Sequence, residues 1–264
     1  MLNNKLSIII HTCDKYSDLW EGQIKLLNEN WSNRNIETFL VTDLNRNIIY
    51  DNIKILSAGQ GKELSQRTSF ALQFIKTEYV FITLDDYFLL RPVSSEKIER
   101  LINIMDKENI DYIRLFSDPN SFKKFKKYKK LYEISLNKNY EVNLYQGIWR
   151  KSFIEKTLKE PLNAWQYEVS LTGIARETNA KCVLSKGNEY KILDVVRKGK
   201  LLHKASKYIN KHNLYHGTRE IIQYKEEFRI FIYNYGKKIL PHYLAKLIKK
   251  ILIKRGHKFY SKID

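Results

Sequence analysis

Two hydrophobic periods share this chain. Short, mostly apolar runs at residues 6–10, 36–41, 53–56 and 79–84 are rich in isoleucine, valine and phenylalanine, and each stops on polar residues. Runs this short, with β-branched and aromatic side chains, predict buried strands of a mostly parallel sheet. Between them the period lengthens. Leu19, Gln23, Leu26, Leu27 and Asn30 fall at helical spacing after Ser17 or Asp18, either of which suits an N-cap. Gly59-Gln60-Gly61 breaks the chain, and Leu64, Phe70, Ala71, Phe74 and Ile75 predict a helix over 64–75 packed on the sheet. Strands alternating with helices in this way predict an α/β fold with right-handed crossovers.

The second half is less regular. Ser94 or Ser95 caps a helix running to Lys107, and residues 111–115 read as a strand. Residues 132–136 and 140–144 alternate around Asn137-Lys138-Asn139, which predicts a hairpin. A short helix over 151–159 ends before Pro161, and another runs from Trp165 to Thr178. Residues 181–184 and 191–196 read as two more strands. From Thr218 onward the pattern is helical, with breaks at Gly236 and Pro241. No internal repeat and no linker separates two full domains.

The run at 79–84 matters most, because it ends on two adjacent carboxylates, Asp85 and Asp86. Ligands of parallel sheets bind at the carboxyl ends of the strands. Neighbouring carboxylates repel each other and need a cation or strong donors nearby. A divalent cation carrying a diphosphate meets this need, since Mg2+ and Mn2+ favour hard oxygen ligands. The plainer alternative is a strand followed by an acidic turn.

Composition narrows the picture. With 264 residues, 43% of them hydrophobic, and 4 prolines, the chain is globular and long enough for one good core. The net charge of +18 favours polyanionic partners without choosing among nucleic acid, anionic lipid and phosphate-rich substrates. Cys13 and Cys182 have no metal or redox spacing and read as two reduced thiols of a cytosolic protein. The amino end runs into its first strand without an apolar stretch long enough for a signal peptide, and no segment approaches bilayer-spanning length.

The order of the motifs carries more than any one of them. A Thr12-Cys13-Asp14 edge is followed by Thr42-Asp43, then Ser65-Gln66-Arg67, then the apolar strand with Asp85 and Asp86. Gln146-Gly147-Ile148-Trp149-Arg150 and Trp165-Gln166-Tyr167-Glu168 come later. Over residues 7–196 this set resembles the bacterial glycosyltransferases of the GT-A fold that build capsule, O-antigen and related surface polysaccharides. The resemblance implies a Rossmann-like, mostly parallel central sheet flanked by helices over 1–204. A helical C-terminal extension with a basic amphipathic tail would occupy 205–264.

It also implies roles. Thr12, Asp14 and Asp43 would hold base and ribose of a nucleotide sugar, with Ser65 and Arg67 nearby. Asp85 and Asp86 stand where the family has its Asp-x-Asp element, although here the carboxylates are adjacent and Tyr87 follows. Two alternatives stay open at that point. Asp86, with Asp85 and His203, would hold Mn2+ or Mg2+, or lysines and arginines would neutralise the diphosphate. Glu168 would be the base of an inverting enzyme. Gln146, Trp149 and Trp165 would line the donor or acceptor pocket. UDP is the first expectation for the nucleotide, with GDP, dTDP and CMP open.

Two basic stretches lie outside these motifs. Residues 122–130 place an aromatic at every third position between lysine pairs. In 241–258, Leu244, Leu247, Ile248, Ile251 and Arg255 share a helical face, with lysines largely elsewhere. Such a helix lies in a bilayer interface. An undecaprenyl-diphosphate-linked or other saccharide acceptor, met at the inner face of the cell membrane, is the expectation. The rival readings are a nucleic-acid-binding module, which lacks any helix-turn-helix, RRM or KH pattern, and a catalytically inactive GT-A scaffold. A nucleotidyltransferase would want a glycine-rich phosphate loop after the first strand, and none is present.

Overall fold

A computed structural model describes residues 2–44 and 48–230. Along the chain come β1 (Leu6–His11), α1 (Trp20–Asn30), β2 (Thr38–Thr42), β3 (Lys54–Ser57), α2 (Leu64–Leu72), β4 (Tyr79–Leu84) and β5 (Tyr87–Leu89). Then follow α3 (Ser95–Glu108), β6 (Tyr112–Arg114), β7 (Leu131–Glu133), β8 (Gly147–Arg150), α4 (Lys151–Thr157) and α5 (Ala164–Glu177). The last are β9 (Cys182–Ser185), β10 (Ile192–Asp194), β11 (Val196–Arg197), β12 (Lys200–Leu201) and α6 (His203–Lys211).

The main sheet has the order β3-β2-β1-β4-β8-β6-β9-β7. β1 to β4 are mutually parallel, as their unbroken apolar runs require. β8 is wedged antiparallel between β4 and β6, so β6 and its parallel neighbour β9 point the same way as β4. The carboxyl ends of six strands therefore meet at one edge, and Asp85 and Asp86 lie on it.

Period-2 alternation sorts side chains to the two faces. Ile8, Ile10 and Phe81 pack with Trp20, Ile24, Trp31, Ile102 and Met105 under α1 and α3. Ile9, Val80, Ile82 and Trp149 pack with Leu64, Leu72, Phe153, Tyr167 and Leu171 under α2, α4 and α5. A third cluster joins Leu19 and Leu26 of the α1 region to Phe88, Leu193, Val195, Leu201, Ala205, Ile209 and Leu214. There the carbonyl of Leu214 approaches so closely that a Cβ on Gly22 would lie 2.1 Å from its oxygen. Only glycine admits this contact.

Four expectations are corrected. Neither Ser17 nor Asp18 caps α1: residues 14–19 form a 3-10 helix that runs straight into it, and Asp18 is taken by Arg219. The hairpin over 132–144 does not form. β7 pairs with β9 instead, and the Val142 N–H is satisfied by the Thr172 hydroxyl at 3.0 Å. Residues 218–222 form a strap bridged to Leu201, and helix begins only at 224. The boundary expected after 204 falls inside α6, whose Ala205 and Ile209 belong to the third core cluster. The amphipathic tail at 241–258 lies outside the described residues.

Candidate active site

The corner between β4 and β5 is built by tertiary hydrogen bonds. The Asp85 N–H continues the β1–β4 ladder by donating to His11 O at 3.1 Å. Its carboxylate accepts from the Thr12 hydroxyl, which in turn accepts from Trp20 Nε1 at 2.6 Å. Burial pushes Asp85 up to about 7, against the opposing pull of Thr12, Arg219 and Arg67. Asp86 is pushed well above the carboxylate range by burial and then by the charges of Asp85 and Asp194. Its Oδ1 is buried without a hydrogen-bond partner. An unpartnered hard oxygen among mutually repelling carboxylates suits a divalent cation.

Asp194 was not foreseen. β10 pairs antiparallel with β5, placing Asp194 opposite Tyr87, and the Val195 N–H donates to Asp86 O at 2.9 Å. Asp194 pairs with Arg197, and burial raises its carboxyl despite that partner. Among the described residues, no three metal-ligating side chains converge as a ready-made cage. His203 leaves the expected ligand set: its Nδ1 is paired with Glu227, and its ring stacks on Tyr224 at 3.6 Å between centroids.

On the β1–β2 side of the corner, Asp14 accepts from the Thr42 hydroxyl at 2.7 Å, and Asp43 pairs with Arg67. Thr12, Asp14, Asp43 and Arg67 thus gather at the carboxyl ends of neighbouring strands. His11 lies beneath them, facing Thr68 at 3.2 Å. Burial and the Arg67 charge lower its imidazole to about 3, so the ring is neutral. Ser65 does not join this group. Its hydroxyl donates to Glu160 O at 2.8 Å and accepts from Leu162 N at 2.7 Å, tying α2 to the loop before α5.

On the other side stands Glu168, in the second turn of α5. The helix starts at Ala164, with Asn163 and Gln166 forming a capping box. Its Oε1 accepts from the Leu144 N–H at 3.1 Å. Burial raises its pKa, eased by that N–H and by the charge of Arg197. Between Glu168 and the corner runs an aromatic column: Tyr87 stacks on Tyr145 at 5.8 Å, and Tyr145 packs tilted against Phe116 at 4.3 Å between centroids. The Tyr145 hydroxyl, raised to about 12 mainly by burial, also feels Arg197, Asp194 and Glu168. Arg114, fully buried, donates to the carbonyls of Phe116, Glu141 and Pro119 and so fixes the two loops that carry Phe116 and Tyr145.

The three expected pocket residues separate. Trp149 is 1% exposed and sandwiched between Tyr112 and Phe153, because β8 runs through the middle of the sheet; it is a core residue. Gln146 is fully buried and donates to Tyr190 O at 3.4 Å, with no surface to offer a ligand. Trp165 is 62% exposed in the first turn of α5, three residues before Glu168. Asp194, Arg197, Tyr145 and Phe116 carried no signal in the sequence beyond their residue types, since tertiary pairing brings them here.

The fold is a GT-A-like, Rossmann-type α/β class. No protein-family model matches the sequence, and no curated protein does. Among solved structures, the crystal structure of S. aureus TarS superposes with a TM-score of 0.50 at 15% identity, over 70% of this chain and 36% of that one. S. aureus TarS 1-349 in complex with UDP-GlcNAc gives 0.50 at 16% identity, over 75% and 60%. A UDP-glucose pyrophosphorylase complexed with UDP-glucose gives 0.44 at 13% identity, over 72% and 91%. The chain thus spans between about a third and three fifths of the length of the two TarS structures. At these identities the likeness is one of fold.

Proposed function

We propose that this chain is a glycosyltransferase that moves a sugar from a nucleotide-sugar donor, UDP-linked in the first instance, to a saccharide or lipid-linked saccharide of a surface polysaccharide. One observation carries the reading. A carboxylate corner, with Asp85 buried and Asp86 half-buried, lies between a polar edge (Thr12, Asp14, Asp43, Arg67) and a half-buried carboxylate, Glu168, beside an aromatic wall.

The chemistry assigns a task to each part. The acceptor oxygen forms a bond to C1 of the sugar as the bond from C1 to the diphosphate breaks, and the nucleoside diphosphate leaves with the electron pair. Glu168 takes the acceptor proton. Its burial raises its basicity towards the pH at which it must work, and the Leu144 N–H fixes its direction. Direct attack of this kind inverts the configuration at C1. Asp86, with Asp85 and Asp194 beside it, would hold Mn2+ or Mg2+. The cation, when bound, neutralises the negative charge that gathers on the leaving diphosphate. Asp43 and Arg67 orient the nucleotide end. The main competing chemistry of this fold, nucleotidyl transfer, is disfavoured here, because His11-Thr12-Cys13-Asp14 after β1 contains no glycine to bring backbone amides against a triphosphate.

The test is a thermal-shift screen of nucleoside diphosphates and nucleotide sugars with and without Mn2+, followed by transfer assays on the hit. A donor that stabilises the wild type, less so Asp86→Ala, is expected. Glu168→Gln should keep donor binding and lose transfer. If no nucleotide raises the melting temperature, the transferase reading is wrong.

A further inference from the structure

Residues 122–130 were set apart by their spacing, and the fold gives each aromatic and lysine a different fate. Phe125 is buried, and Tyr128 donates its hydroxyl to Glu108 at 2.8 Å. Phe122 stays in solvent, 82% exposed, with Lys186 Nζ 5.2 Å above one face. Lys123 is paired with Glu133, and Lys126 with Glu108. Lys124, Lys127, Lys129 and Lys130 are exposed, and none of them forms an ion pair among the described residues. An outward phenyl ring thus shares one short segment with four exposed lysines that have no ion-pair partner among the described residues.

We propose that this segment docks on an anionic lipid bilayer. Lysine ammonium groups reach phospholipid phosphates while the phenyl ring enters the boundary between headgroups and acyl chains. Two other uses of such a surface fit less well. Single-stranded nucleic acid needs successive aromatic faces on which bases stack. Here two of the three rings are turned inward. Lysines also guard exposed sheet edges, and β7 is the outermost strand of the main sheet, with Lys124 bridged to Tyr132. A guard needs one or two charges and no exposed phenylalanine.

The placement is useful as well. The Lys186 N–H donates to Lys130 O at 2.9 Å, and Leu131 sits opposite Ser185, at the carboxyl end of β9. That is the sheet edge on which Asp85 and Asp86 lie. A bilayer held there would face the same side as the carboxylate corner. The inference does not depend on sugar transfer, because the surface would bind vesicles whatever the site does.

Co-sedimentation of the full chain with phosphatidylglycerol-containing vesicles, against pure phosphatidylcholine vesicles and poly(U), tests it. Each lysine at an anionic surface is worth about fivefold in affinity, so Lys124→Gln, Lys127→Gln, Lys129→Gln and Lys130→Gln together should weaken binding about 10²- to 10³-fold. Phe122→Ser should cost about tenfold on vesicles and leave poly(U) binding unchanged. Lys123→Gln, whose charge is already met by Glu133, should change little. Circular dichroism will confirm that these surface variants fold. Wild-type-like sedimentation of the quadruple variant overturns the proposal. So does a Phe122→Ser protein that binds vesicles as the wild type does.

Discussion

Asp85→Asn should stabilise the ligand-free protein at high pH, although it strikes the centre of the candidate site. Asp85 is 7% exposed, and its carboxyl rises from 3.8 to about 7 on folding. A carboxyl raised in this way binds its proton more tightly folded than unfolded. Folding is therefore unpenalised below the unfolded value, and the penalty grows as pH climbs from 3.8 to about 7. At 1.36 kcal/mol per unit, the full penalty is on the order of a few kcal/mol, and most of it accrues above pH 5. The asparagine variant, which never ionises, escapes it. Denaturant unfolding at a series of pH values should show the variant gaining on the order of a few kcal/mol on the wild type between pH 5 and pH 8. The same variant should lose Mn2+ binding, which in the wild type tightens as pH rises towards 7 because the cation must displace the proton. A stability difference that stays flat across this range would refute the electrostatic account of the corner.

Three further outcomes follow from the geometry. Arg219 donates to both oxygens of Asp18 and to Gly199 O, and it lies over the Tyr16 ring at 4.3 Å. Arg219→Ala should cost about 2 kcal/mol by thermal or urea unfolding, and Arg219→Lys less, because a lysine keeps the charge opposite Asp18 although it cannot span both oxygens. Gly22→Ala forces a Cβ against the Leu214 carbonyl. It should cost about 2–3 kcal/mol and speed proteolysis near residue 214. Arg114→Met leaves three loop carbonyls without their donor, so nucleotide binding should survive while acceptor-side activity falls about tenfold or more. Equal loss of both would show that Arg114 serves the whole fold instead of these loops.

The half of the site that is contiguous with apolar strands was legible. Asp85, Asp86, Asp14 and Asp43 follow strands whose unbroken hydrophobicity announces them, and Glu168 follows a helix start. What escaped the sequence depends on distant pairing. Asp194 reaches Asp86 only because β10, three residues long, adds to β5 across more than a hundred residues. Asp18 reads as a cap until Arg219 arrives from 201 positions away. Trp149 reads as a pocket-lining residue because nothing local reveals that β8 enters the sheet antiparallel between β4 and β6. The alternation over 132–144 is real, but Leu131–Glu133 finds β9 as a partner, and Val142 and Leu144 fill the core beneath α5.

The contact between Gly22 and Leu214 also orders events in time. Leu19 and Leu26 lie at the start of α1 and within it, made early in synthesis, yet most of the groups that cover them, Phe88 apart, come from residues 193–214. A nascent chain therefore exposes this seam until its last third has emerged, and the closing of so long a loop is slow. Until then the growing polypeptide exposes apolar surface, which makes it a natural client for chaperones.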